Sequence, residues 1–266
     1  MPTLNLWRQS PNTTQPLMRP AEPEPAPRAL RPLLRIVVLN TKGGCGKTTL
    51  STNLAGYYAS HEFNTALLDM DPQGSSLRWL ANRAQKRAPV TGIQGTERGG
   101  RVTRSFQLRI PPGTERLIVD TPAGLEPMRL QDVTRGADAI LIPVLPSDID
   151  IHAASRCIAD LLIAGRIERR ADRVAVIANR VKKNTQMYDK LRRFLDTLEI
   201  PFVAAFRDTQ NYIHASEQGL CVHELEARNA REDVRELNVL VNWIESRQQM
   251  TAGPEQNTGH ISSGTL

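Results

Sequence analysis

Apolar positions along this chain come in unbroken blocks. Short hydrophobic runs lie at residues 35–40, 65–69, 116–120, 139–144, 173–178 and 200–205, with helix-like segments between them. A strand that is apolar at every position is covered on both faces, and such strands are typically parallel and joined by helices. The alternation predicts an α/β fold: a doubly wound, mostly parallel sheet flanked by helices. Leu50 to Ala59 reads as the first helix. Residues 101–110 instead alternate polar and apolar and could add a strand. Near the end, Arg231 to Arg247 carries Val234, Leu237, Val241 and Ile244 at helical spacing. That stripe either covers the last edge of the sheet, the reading adopted here, or lies on a lipid surface. No internal repeat is visible.

The pattern stops at both ends. Residues 1–34 are crowded with proline (Pro11, Pro16, Pro20, Pro23, Pro25, Pro27, Pro32) and read as a disordered or polyproline-like tail. Residues 249–266 are polar and read as a second disordered tail, leaving a folded domain at 35–248. A chain of 266 residues is long enough for one large α/β domain or two small ones. Cys45, Cys157 and Cys221 are odd in number and widely spaced, which excludes a disulfide framework or a paired-cysteine metal site and fits a reducing cytoplasm. No run approaches a transmembrane length of about 18 residues, and the N-terminus has no hydrophobic signal core. His152, His214 and His223 are scattered without metal-ligand spacing.

Charge changes the picture in one place. The formal net charge is +6. Arg166 to Arg193 holds ten Lys/Arg against three Asp/Glu, a difference of +7, so this segment accounts for the whole excess. Its basic residues include Arg169, Arg170, Lys182, Lys183, Arg192 and Arg193. Such crowding suggests a polyanion surface, although arginines on exposed helix faces often only solvate. Only Tyr188 and Phe194 accompany the charges, so stacking on single-stranded bases is not indicated.

The candidate chemistry sits between the first run and the first helix. Lys42-Gly43-Gly44-Cys45-Gly46-Lys47-Thr48-Thr49 is a glycine-rich loop of the phosphate-binding kind. Its glycines let successive backbone N–H groups turn toward phosphates at a helix N-terminus. Lys47 is placed for β- and γ-phosphates, Thr48 offers a hydroxyl to Mg²⁺, and Thr49 a hydroxyl or N–H to a phosphate oxygen. Cys45 fills a variable loop position as a small packing residue. Two apolar runs end in aspartates, at Asp69-Met70-Asp71-Pro72-Gln73 and Asp120-Thr121-Pro122. A carboxylate at a strand's carboxyl end borders the ligand crevice of a parallel sheet. Asp120 is the candidate to hold Mg²⁺ through a water and Asp71 the candidate to orient the attacking water. Either could instead simply end its strand and cap the next helix.

Lys42 is an extra lysine that the ordinary loop does not need. With it, and with the two aspartate elements, the chain resembles the ParA/MinD family of P-loop ATPases over about residues 35–247. The resemblance implies ATP and Mg²⁺ as ligands and a homodimer that sandwiches two ATP molecules. In that dimer Lys42 would reach the partner's phosphates, Lys47 would serve its own nucleotide, and Asp71 would help hydrolysis. Asp69 would support the magnesium shell, with Thr48 and Asp120 as above. Asn179, at the end of Val174–Ala178, matches the family's adenine-contacting asparagine; by its position alone it could equally be a strand-end turn residue.

The resemblance further implies slow hydrolysis stimulated by a ParB-like or cargo-adaptor partner, and non-specific duplex DNA bound by the ATP dimer. The expected location is cytoplasmic and nucleoid-associated. The cargo could be a plasmid, a chromosome origin, a carboxysome or a chemoreceptor cluster. The N-terminal tail is too short and proline-rich for the helix-turn-helix domain of some relatives, which favours a short chromosomal or orphan type, organelle-positioning ones included. A membrane-associated division-site or flagellar positioning ATPase of the MinD type is the alternative. A metabolic enzyme on the same scaffold would need substrate or cluster ligands, and none is evident.

Overall fold

Seven parallel strands form one sheet in the order β3-β2-β4-β1-β5-β6-β7. In this computed structural model residues 31–95, 110–167, 172–182, 185–197 and 200–251 are described, all within the unit Arg31–Leu266. The strands are β1 (Leu34–Val38), β2 (Thr65–Asp69), β3 (Thr91–Gln94), β4 (Arg116–Asp120), β5 (Ala139–Val144), β6 (Val174–Val181) and β7 (Phe202–Arg207). The helices are α1 (Lys47–Ser60), α2 (Ser75–Asn82), α3 (Pro127–Thr134), α4 (Asp148–Ile163), α5 (Gln186–Asp196), α6 (Asn211–Glu217) and α7 (Ala227–Thr251). The doubly wound, parallel reading holds. The expected 35–248 domain differs at its edges, because β1 starts at Leu34 and α7 runs to Thr251. The possible strand at 101–110 lies outside the described residues, save for Ile110, which is in a bend.

The unbroken apolar runs have the predicted cause. β1, β2, β4 and β5 are buried at every position. Side chains alternate between two cores: Val37, Leu68, Val119 and Ile142 meet α3, α4 and α5 on one face. Ile36, Leu67, Ile118 and Leu141 meet α1 and α7 on the other. The helix after β1 therefore packs on one face, while those after its neighbours β4 and β5 pack on the opposite one. That is a topological switch point, and it opens a crevice above the carboxyl end of β1.

α7 settles the reading of its apolar stripe. Leu237, Val241 and Ile244 are buried in the second core, and Val234 is half-buried. Its far end is fixed by Glu245, whose carboxylate takes two hydrogen bonds from Arg116, at 3.2 and 2.8 Å. Arg116 is itself buried, with its guanidinium 4.0 Å from the Phe63 ring centre. No helix among the described residues is long and apolar enough to cross a membrane. Truncating a fully buried aliphatic chain costs about 2–5 kcal/mol. Ile244→Ala should therefore lower the urea midpoint by that much stability at unchanged m-value. A loss under about 0.5 kcal/mol, the surface range, would return α7 to the protein's exterior.

Candidate nucleotide site

The loop between β1 and α1 is held from three sides. Asn40 donates from Nδ2 to the Pro143 carbonyl at 2.8 Å and accepts the Lys42 N–H at 2.9 Å, tying the loop to β5. The Gly124 N–H donates to the Thr41 carbonyl at 2.8 Å, and the Thr121 hydroxyl to the Val38 carbonyl at 2.9 Å. These join the loop to the turn after β4. On the third side Asn179 donates from Nδ2 to the Cys45 carbonyl at 2.8 Å. It reaches there because β6 bulges: Ala178 pairs with Ala205 and Val181 with Arg207, three residues against two, with Arg180 at φ 51°.

Gly46 is required by this arrangement. It has φ 97°, and any Cβ there would collide with the Asn179 amide. Gly44 also sits at positive φ, 77°, in open space. Together they present the first turn of α1, which has no side-chain cap and no acidic residue. An uncapped helix N-terminus offers unpaired N–H groups and positive potential to an anion.

The two lysines are placed differently. Lys47 is buried and its ammonium donates to the Lys42 carbonyl at 2.9 Å, folded over its own loop. The Lys42 side chain points away, 3.3 Å from Asp150 Oδ1, and is 35% exposed. Asp150 is buried in the first turn of α4, where its other oxygen bonds the Ser147 hydroxyl. Cys45 is buried, its thiol donates to the Lys42 carbonyl at 3.3 Å, and burial raises its pKa, which leaves it a packing residue.

The aspartates are sorted by their surroundings. Asp69 and Asp120 are register partners at the ends of adjacent strands. Asp69 accepts the Asp71 N–H at 3.0 Å and the Ser76 and Leu77 N–H groups, both at 3.1 Å. It thereby caps α2 and shapes the turn that carries Asp71. Asp120 Oδ1 accepts from the Ser51 hydroxyl, at 3.2 Å, and among the described residues no hydrogen bond reaches its buried Oδ2. Burial pushes its pKa up to about 7, against the Thr48 and Ser51 hydroxyls, and the neighbouring Asp69 charge adds to the rise. Asp71 is half-buried, accepts the Gln73 N–H at 2.9 Å, and lines a cleft of about 410 Å³ with Pro122 and Gly124. A second cleft of about 320 Å³ is lined by Thr49, Asn179, Arg207, Tyr212 and Ile213.

The site thus gathers Lys42 to Thr49, Asp69, Asp71, Asp120 and Asn179. An orphaned carboxylate oxygen beside Thr48, below an uncapped helix end, fits a magnesium–phosphate ligand. Three of the basic candidates are among the described residues. Arg192 and Arg193 are exposed on α5, and Lys182 is exposed after β6, 3.6 Å from Asp208. Arg169, Arg170 and Lys183 lie outside the described residues. His152 and His214 are exposed, while His223 is half-buried, with burial lowering its pKa to about 4. Asn40 and Asp150 escaped the sequence reading. The Asn just before the extra lysine was the one available signal for the first; nothing local marked the second.

The chain is similar to known proteins over most of the described region. The family described as "CobQ/CobB/MinD/ParA nucleotide binding domain" matches residues 36–222. The "Maintenance of carboxysome distribution protein A" of Halothiobacillus neapolitanus is 28% identical over 213 residues, covering 79% of this chain and 95% of that protein. Its namesake from Gloeobacter kilaueensis is 30% identical over 200 residues, covering 74% and 87%. The structure of a McdA–ATP complex from Cyanothece superposes with a TM-score of 0.60 at 15% identity, covering 85% of this chain and 98% of that one, which shows the fold alone.

The Asp120 environment has a pH consequence. Its folded pKa of about 7 lies above the ordinary value of 3.8, so the folded state keeps a proton that the unfolded state gives up. Stability is full below the ordinary value and falls as pH rises through that window, by up to about 1.4 kcal/mol per pH unit. Asp120→Asn removes the titration. In the nucleotide-free protein it should flatten the decline in melting temperature between pH 5 and 8 and raise the value at pH 8. An unchanged pH profile would show that Asp120 is not a desolvated carboxylate.

Proposed function

The chain belongs to the CobQ/CobB/MinD/ParA nucleotide-binding family, and we propose that it is an Mg²⁺-dependent ATPase of the ParA kind that positions a large cargo. On this reading ATP closes a homodimer, the dimer holds duplex DNA without sequence preference, and a ParB-like or cargo-adaptor partner stimulates a slow hydrolysis that releases it. The place of action is the nucleoid of the cytoplasm. Two relatives that cover most of the chain carry carboxysome-distribution names, which favours a carboxysome or a comparable assembly as cargo.

The observation that carries this reading is the position of Lys42. It stands at the mouth of the loop, partly exposed, with its ammonium directed away from the α1 N-terminus that Lys47 already serves. A second lysine so placed is available to a neighbouring subunit's phosphates. Within one subunit the loop amides and Lys47 would hold the β- and γ-phosphates. Thr48 and Asp120 would hold Mg²⁺, which offsets charge on the phosphate oxygens when bound. Asp69 keeps the 70–77 turn in shape, so that Asp71 faces the cleft over the γ-phosphate and accepts a hydrogen bond from the attacking water. Asn179 borders the second cleft, which would take the base. Exposed Arg192, Arg193 and Lys182 support a DNA surface in the C-terminal half, together with Arg169, Arg170 and Lys183. A MinD-type lipid helix would need Leu237, Val241 and Ile244, which are already committed to the core.

The test is nucleotide-dependent DNA retention. With ATP and Mg²⁺ the protein should retain random-sequence duplex DNA at low salt, and with ADP it should not. Lys42→Ala should abolish retention while nucleotide affinity changes by less than about tenfold. Arg192→Ala with Arg193→Ala should weaken retention and reduce its salt dependence, since each lost phosphate contact lowers the slope by roughly one. Retention that ignores the nucleotide, or is absent at low salt, would sink the proposal.

A further inference from the structure

The cleft of about 320 Å³ beside Asn179 is walled on its far side by the corner after β7. That corner carries Arg207, Tyr212 and Ile213 into the cleft, and it has little secondary structure of its own between Arg207 and Asn211. It is nevertheless clamped at both ends to α7. At one end the Arg207 N–H donates to Glu236 Oε2 at 3.0 Å. The Arg207 guanidinium makes a two-pronged contact with Asp233, Nε to Oδ1 at 2.6 Å and Nη2 to Oδ2 at 2.9 Å. At the other end Asn211 Nδ2 donates to Asp233 Oδ2 at 2.6 Å and to the Asn229 carbonyl at 2.9 Å. Asp233 is thus shared by both ends of the corner, while Glu236 and Glu232 also hold the Arg207 end.

Asp233 is 0% exposed. A buried carboxylate is costly unless paired, and a paired one is seldom the most stabilising residue for its place. A well-packed apolar residue would serve α7 at least as well for packing alone. What the carboxylate supplies is geometry: the planar fork of Arg207 accepts one orientation, and Asn211 is set by the same oxygen. Asp208 to Gln210 are the short span between the two clamped residues. Tyr212 follows at once, half-buried in the cleft wall, with no hydrogen bond to its hydroxyl.

We propose that Asp233 is a positioning residue for base recognition, acting through Arg207 and Asn211 to hold the 208–212 corner against the nucleobase. The inference rests on the nucleotide reading above and adds to it the part of the chain that selects the base. Asp233 reaches no phosphate element: its partners belong to the β7 corner, while the loop is held by Asn40, Thr121, Gly124 and Asn179. Its removal should therefore touch one end of the nucleotide and spare the other.

Calorimetric titration of the full chain with ATP, GTP and inorganic tripolyphosphate separates these ends. Asp233→Asn should weaken ATP binding by about tenfold or more. Tripolyphosphate binding should stay within about twofold, and the preference for ATP over GTP should narrow. Asn211→Ala removes one clamp without leaving a buried charge unpaired, and should move the same ratios in the same direction by a smaller factor. It also decides the question if Asp233→Asn fails to fold. Equal losses for ATP and tripolyphosphate would reduce Asp233 to an anchor of α7 and overturn the inference, as would unchanged ATP binding in the folded variants. A wild-type protein that binds tripolyphosphate but prefers no base would overturn it too, while leaving the phosphate site intact. If the wild type binds neither ligand, the nucleotide reading itself fails, and the inference with it.

Discussion

An uncapped helix N-terminus at the centre of the molecule is the constraint around which the rest is arranged. α1 starts at Lys47 with no side-chain cap and no acidic residue in its first turn, and ten of its residues are buried. Most helices satisfy their first N–H groups with a Ser, Asp or Asn side chain; here backbone curvature leaves them facing the crevice. Such a terminus is stable only because its surroundings are rigid. Asn40, Thr121, Gly124 and Asn179 hold the loop from β5, β4 and β6, so the cost of the open amides is spread over three strands.

The same logic explains why two aspartates at equivalent strand ends differ. Asp69 and Asp120 are adjacent in register, yet Asp69 is saturated by three backbone N–H groups and Asp120 is left one bond short. A buried carboxylate oxygen without a partner is costly, and a cation is one group that can satisfy it. Asp69 caps α2 through the Ser76 and Leu77 N–H groups. Asp71, two residues on, inherits its position from that cap.

Much of this was legible in the residues. The loop, the strand-ending aspartates and the parallel order follow from local signals, because parallel strands buried on both faces must be apolar throughout. β3 escaped notice for the converse reason. Thr91-Gly92-Ile93-Gln94 buries one side chain, Ile93, and carries a glycine, so an edge strand left no hydrophobic trace. Arg116 and Asp233 were invisible for another reason. Each is a buried charge whose partner, Glu245 or Arg207, lies at least 26 residues away, and hydropathy assigns such residues to the surface. Asn179 matched a family position, but its bond to the Cys45 carbonyl depends on a bulge that no pattern of residue types announces.

The Lys42 ammonium cannot be in two places. In the single subunit it lies against Asp150, a carboxylate that is 9% exposed and fixed in the first turn of α4. On the proposed reading it must leave for a neighbour's phosphates, and the buried Asp150 oxygen then loses its counter-charge. Exposed ion pairs contribute up to about 1 kcal/mol, and a pair with one buried member costs more to break from the buried side. Closure is therefore favourable only when the triphosphate offers Lys42 a stronger partner than Asp150 does. A ligand shifts an equilibrium only by its difference in affinity for the two states, and the contest for this one ammonium is where that difference would arise.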